Sequence, residues 1–222
     1  MQPLLKACWG RPIVALTCFK SPLDATWQAA QIEAMTASER TRLARIHRSL
    51  RRDQFIVGHR LLRHLLALVG NDDSVIEVDA EGRARVAHAG RQCHVSVAHS
   101  GQAVAAIVAL EPVGIDLEAS RQLSDPCAAA AWLGLPRHAG SRGLADTAKA
   151  ESEQVLTAWV AAEARFKAGP NARQRLWQAS WQTCLMAVAS TAEAPQTVVF
   201  DTMTGTYNRT ELHWDVVESP VR

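Results

Sequence analysis

Two periods of apolar and polar residues alternate along this chain, and the switches between them mark its elements. Ile13 to Phe19 is a short apolar run, too short for a helix and broken by Ser21-Pro22, so it predicts a first strand. Residues 24–36 predict a short helix. From Ser38 to Val69 the apolar positions Leu43, Ile46, Leu50, Phe55, Ile56, Leu62, Leu65, Leu66 and Val69 recur mostly at spacings of three and four. That period predicts helix, with a break near Leu50–Gln54 marked by Asp53. Gly70-Asn71-Asp72-Asp73 ends it.

The period then shortens. Val75–Val78 predicts a strand, Glu81–Ala84 a turn, and Arg85-Val86 the start of a short strand. Cys93–Ala98, residues 103–110 and Val113–Glu118 predict strands bounded by Gly and Pro. Cys127–Leu135 predicts a short helix, 137–150 a polar surface loop, and Glu151–Ala168 a helix with Val155, Leu156, Trp159, Val160 and Phe166 on its apolar face. Strands are expected over Ala179–Ser190, Thr197–Thr202 and Thr210–Val217, with a frayed tail from Glu218. Each half reads as helices followed by strands, which predicts a pseudo-duplication divided at 112/113, with halves 1–112 and 113–222.

Composition narrows the function classes. With 222 residues, 48% of them hydrophobic, the chain can bury a substantial core, and its net charge of +2 is no polyelectrolyte balance. Five scattered cysteines without a C-x-x-C pair argue against a disulfide framework or a zinc finger and fit a reducing cytoplasm. No run reaches the 18 apolar residues of a membrane span, so no membrane contact is expected. An arginine-rich helical stretch (Arg40 to Arg63) raises nucleic-acid binding, but Phe55 is its one aromatic, so no nucleic-acid partner is expected.

The candidate chemistry gathers at strand ends. Asp116 and Glu118 are two apart, so they share a strand face with Cβ atoms about 6–7 Å apart. Such a pair is either a solvated strand end or a site with a cation or proton between the carboxylates. Arg60 and Arg63 share a helix face, either a solvated basic face or a phosphate site. Glu163 and Lys167 are four apart in the stabilising orientation, which alone makes a surface ion pair. His99-Ser100-Gly101 lacks the flanking glycines of a nucleophile elbow, since Ala98 and Gln102 stand there.

Three segments together are more specific than any one. Ser96-Val97-Ala98-His99-Ser100, Val113-Gly114-Ile115-Asp116-Leu117-Glu118 and the run Trp159 to Gly169 resemble the motif series of the 4'-phosphopantetheinyl transferases. Those motifs read S-x-S-H-S, V-G-I/V-D-I/L-E and W-S/T-x-K-E-A-x-x-K-x-x-G. Length and the arginine helix are similar to the larger, monomeric surfactin-synthetase-activating type. The resemblance implies an α+β fold of two similar lobes in pseudo-twofold arrangement, each a small mainly antiparallel sheet packed with helices. It implies coenzyme A in the cleft, a magnesium or manganese ion on its pyrophosphate, and transfer of phosphopantetheine to a serine of an apo acyl or peptidyl carrier protein. By position, Asp116, Glu118 and Glu163 match the metal ligands, and Glu163 also the base. Lys167, His99 and Ser100 match pyrophosphate contacts, Arg83 the basic residue of a G-K/R-P element, and Arg60 and Arg63 the nucleotide end. The carrier surface is expected near 137–150 and the arginine helix. The departures are Ala162 for the motif lysine, Val160 for a small hydroxyl residue, Ala84 for proline and Ala98 for serine. The lost lysine leaves open a non-catalytic paralogue that binds coenzyme A or a carrier without transfer.

Overall fold

The computed structural model describes residues 10–70, 74–87, 93–135, 145–170, 174–201, 204 and 206–217. It is a mixed α+β fold in which two sheets pack face to face between two long helices. The order is β1 (Ile13–Cys18), α1 (Ala25–Glu33), α2 (Ala37–Ala44), α3 (Ser49–Leu68), β2 (Val75–Val78), β3 (Ala84–Ala87), β4 (His94–Ser100), β5 (Ala103–Ala109) and β6 (Val113–Ala119). Then follow α4 (Pro126–Trp132), α5 (Ala145–Ala168), β7 (Arg175–Trp181), β8 (Cys184–Ser190), β9 (Gln196–Phe200), β10 (Tyr207–Thr210) and β11 (Asp215–Val217). One sheet runs β10-β9-β1-β5-β4, the other β11-β7-β8-β6, and β2-β3 form a separate ribbon.

The layering explains why several strands read as unbroken apolar runs. In β1, Ile13 and Ala15 face the core under α3, while Val14 and Leu16 face the layer between the sheets. β5 divides in the same way, with Val104, Ala106 and Val108 toward α3 and Ala103, Ala105, Ile107 and Ala109 toward the second sheet. Strands buried on both faces lose the alternation that a half-exposed strand keeps. β6 is different. Val113, Ile115 and Leu117 enter the inter-sheet layer, so by the two-residue repeat Gly114, Asp116 and Glu118 face α5.

The two halves repeat an order. β1, α3 and the hairpin β4–β5 are matched by β6, α5 and the hairpin β7–β8, and in each the hairpin's second strand pairs antiparallel with the first strand. The 112/113 division does not keep the sheets apart, because β9 pairs parallel with β1 and carries β10 into the first sheet.

Several elements differ from the sequence expectation. The helical break falls at Arg45–Arg48, between α2 and α3, and not near Asp53. Asp53 lies inside α3, buried, accepting hydrogen bonds from Ser21 Oγ (2.6 Å) and Gln28 Nε2 (3.1 Å). The expected strand Ala179–Ser190 is a hairpin that begins at Arg175 and turns at Gln182, which holds φ 54° without a Gly, Asn or Pro to announce it. α5 starts at Ala145, so the last residues of the expected loop are helical, while 137–144 and the tail 218–222 lie outside the described residues.

Candidate functional site

Close approach of α5 to β6 builds the centre of the site. Gly114 permits it: a Cβ there would stand 2.0 Å from the Ala164 carbonyl oxygen and 2.6 Å from the Ala168 nitrogen. Only a residue without a side chain lets helix and strand backbones meet this closely. The approach brings Lys167 down onto the strand. Its Nζ bonds Asp116 Oδ1 at 2.6 Å and the Ile115 carbonyl at 3.2 Å.

Asp116 is 8% exposed. Burial pushes its carboxyl above the usual range; Lys167 opposes that, and the negative charges of Glu118 and Glu163 add to it. Glu118 and Glu163 thus both act electrostatically on Asp116.

The His-Ser pair separates across β4. Ser96 and Ser100 face β6: the N–H of Ile115 donates to Ser96 Oγ (3.3 Å) and that of Ala119 to Ser100 Oγ (2.9 Å). Ser100 also donates to Glu118 Oε2 at 2.8 Å, an oxygen shared with Arg121 at 2.7 Å. Ser100 therefore orients Glu118 and does not line the cavity described next. His99, on the other face, does line it.

That cavity, about 250 Å³, lies between α3, the β2–β3 turn, β4 and α5. Its charged walls are Arg51, Arg83, Arg85 and Lys167, joined by His59 and His99, and no carboxylate among the described residues lines it. Arg42 extends the basic rim, since its guanidinium presses on Gly82, a wall residue at φ 85°. Burial, and next the Arg51 and Lys167 charges, push His99 down to about 3, so it is a neutral imidazole at ordinary pH. Arg83 lies over the Phe166 ring, 4.8 Å from its centroid. Two of its four cations have salt-bridged partners, Asp79 on Arg85 at 3.0 Å and Asp116 on Lys167 at 2.6 Å, and the positive charge left over suits a multiply charged anion.

Arg60 and Arg63 do not line this cavity. Arg63 bonds Glu39 Oε2, and His59 Nδ1 bonds Glu39 Oε1 at 2.6 Å. Glu39 is fully buried, closes a capping box with Thr36 at the start of α2, and ties α2 to α3. Its carboxyl is held below the ordinary range: bonds from His59 and the Thr36 N–H outweigh burial, the largest single influence. Arg60 has its Nε buried without a partner. The arginine that enters the cavity from α3 is Arg51, which sequence reasoning did not single out. A usable signal existed: Arg51, Gln54 and Phe55 stand at helical spacings of three and four and all line the cavity.

Among the described residues no three His, Cys, Asp or Glu side chains stand together as a ready metal site. Lys167 occupies Asp116, and Ser100 with Arg121 occupies Glu118. The donor chemistry still fits a hard divalent cation, because Asp116, with the negative charges of Glu118 and Glu163 acting on it, offers carboxylate oxygens of the kind such an ion takes. Set against known proteins, the chain matches no family model and no curated protein.

Proposed function

We propose that this protein transfers 4'-phosphopantetheine from coenzyme A to a serine hydroxyl of an apo acyl or peptidyl carrier protein. One observation carries the reading: a cavity whose described lining holds four cations and no carboxylate is joined through Lys167 to a buried aspartate under the influence of two further acids. Coenzyme A carries a pyrophosphate and a 3'-phosphate, and guanidinium forks suit such groups. In this reading Arg51, Arg83 and Arg85 bind phosphate oxygens, and neutral His99 adds a hydrogen bond without adding charge. Lys167 sits where the cavity meets the acids. It steadies Asp116 and stabilises charge on the phosphoryl group as the bond breaks.

Glu163 takes the proton of the acceptor serine, directly or through water. The serine Oγ forms a bond to the β-phosphorus, the bond from that phosphorus to the bridging oxygen breaks, and 3',5'-ADP leaves with the electron pair. A magnesium or manganese ion, held by Asp116, Glu118 and Glu163, would supply neutralisation of the pyrophosphate charge. Ser100 keeps Glu118 turned to that centre. The reading includes two lobes in pseudo-twofold arrangement, supported by the repeated strand–helix–hairpin order, and a monomer working in the cytoplasm.

A second reading, a paralogue that binds coenzyme A without transfer, is favoured by Ala162 in place of the motif lysine and by the side-chain bonds that occupy Asp116 and Glu118. Intact-mass analysis separates the two. Apo carrier proteins incubated with the protein, coenzyme A and magnesium should gain one phosphopantetheine, and EDTA should prevent it. Asp116→Ala and Glu163→Ala should abolish the gain while the circular dichroism spectrum is retained. Binding of coenzyme A without any gain on any carrier would select the second reading.

A further inference from the structure

Two cysteines from different sheets stand at the same end of the layer between those sheets. Ser100, Ala103 and Cys18 are paired directly across β4, β5 and β1, so they form one rung of the first sheet. Ala119, Cys184 and Trp181 form a rung of the second, across β6, β8 and β7. The two rungs face each other. Ala103 and Cys184 are buried in the core between the sheets, and directly paired residues share a face, so Cys18 is turned to that layer as well. At one end of the rungs the Ala119 N–H donates to Ser100 Oγ at 2.9 Å. At the other, Cys18 donates its S–H to Gln182 Oε1 at 3.1 Å. Gln182 belongs to the turn that joins Trp181 to Cys184 and holds φ 54° there. Cys184 therefore sits between two contacts that span the seam.

Exposure divides the pair, since Cys18 is exposed and Cys184 buried. Burial raises the Cys18 thiol above its usual range. Burial first, and then the charge of Cys18, raise that of Cys184, so the two thiols are close enough to act on each other. Thiolates are scarce in such a pair at neutral pH, which suits slow thiol–disulfide exchange better than fast peroxide capture.

We propose that Cys18 and Cys184 form a redox-sensitive staple across the seam between the sheets, open in a reducing compartment and closed by exchange with a small-molecule disulfide such as oxidised glutathione. The exposed Cys18 thiolate attacks one glutathione sulfur, a mixed disulfide forms, and one glutathione leaves as thiolate with the electron pair. The Cys184 thiolate then attacks the Cys18 sulfur and expels the second glutathione. The two thiol protons pass through solvent to the glutathione thiolates, so two protein thiols are oxidised and one glutathione disulfide is reduced. The same seam holds Glu118. Ser100 of the first rung donates to Glu118 Oε2 at 2.8 Å, and Glu118 precedes Ala119 of the second. A disulfide sets its Cβ atoms about 3.5–4.5 Å apart, so closure fixes the spacing of the rungs and disturbs the Ser100–Glu118 contact. That closure lowers transfer rests on the transfer reading above; that the staple forms does not.

The test uses the full chain in glutathione buffers of graded oxidised-to-reduced ratio, quenched with an alkylating reagent under denaturing conditions. Non-reduced tryptic peptides should show β1 linked to β8 in wild type and in Cys127→Ser, and no such link in Cys18→Ser or Cys184→Ala. Closure should raise the thermal midpoint by at least about 4 °C, and dithiothreitol should reverse the rise. Transfer in the intact-mass assay should fall at least five-fold on closure and stay unchanged in oxidised Cys18→Ser. A glutathione that persists on Cys18 while Cys184 is still alkylated overturns the proposal, as does a link from Cys18 to Cys127 or to a second chain. A β1–β8 link that alters neither midpoint nor transfer overturns its role as a staple. If the reduced protein modifies no carrier, the transfer reading fails, and the peptide link with the midpoint still decides the staple.

Discussion

At the scale of single residues, Gly114 and Ser100 show how motif positions serve geometry before chemistry. Gly114→Ala would drive a methyl into the Ala164 carbonyl, so α5 must move away from β6. Overpacking of this kind costs about 1–3 kcal/mol, and urea unfolding should report a loss in that range. Transfer should fall more steeply than stability, because the same displacement pulls Lys167 Nζ off Asp116. Ser100 and Arg51 divide the site in two. Ser100→Ala frees Glu118 and leaves the Ala119 N–H without its acceptor, so it should lower transfer while affinity for 3',5'-ADP stays within about two-fold. Arg51→Ala should do the reverse. Removing a partly buried cation from an anion cavity costs about 2–5 kcal/mol of binding, a weakening of at least ten-fold by calorimetry.

At the scale of elements, what could be read from the sequence followed the strength of each local signal. β1, β5 and β6 were legible because continuous apolar runs ended at Pro, Gly or charged residues, and β2 because Val75–Val78 alternates around Glu77. The Asp116–Glu118 pair was legible because a strand repeats every two residues. The β7–β8 hairpin was not, since Gln182 adopts its positive φ with no turn residue nearby. Asp53 read as a helix breaker, yet Ser21 and Gln28, far away in sequence, satisfy it inside α3. The arginines of α3 could not be sorted for the same reason. Arg63 is drawn to Glu39, and only folding brings Glu39 of α2 next to it. That ion pair should be structural. Glu39→Ala strands Arg63 and His59 without their acceptor and should destabilise the protein by about 3–5 kcal/mol in urea. Arg63→Ala should lower stability without changing 3',5'-ADP affinity more than about two-fold.

At the scale of the whole molecule, buried histidines couple the fold to pH. His64 stacks on Phe200 of β9 with centroids 5.0 Å apart, and its Nε2 is buried without a partner. Burial, and then the charge of Arg60, lower it to about 4. His59 is likewise lowered, by burial first, although Glu39 opposes the shift. A lowered histidine is neutral in the folded protein at a pH where the unfolded chain, near 6.5, already binds a proton. The unfolded state therefore holds more protons throughout the interval between the two values. Stability from His64 is complete above about pH 6.5 and is lost as the pH falls toward 4, and that from His59 is lost in the same direction. Because His64 packs on β9 and β9 on β1, acid should loosen the attachment of the C-terminal strands to the first sheet along with α3. Urea midpoints measured from pH 7.5 down to 4.5 should decline with a slope that His64→Phe reduces by close to one proton. Phenylalanine keeps the stacking on Phe200 and removes the titration. An equal slope in the variant would mean that acid acts through other groups, with His59 and His99 the next to replace.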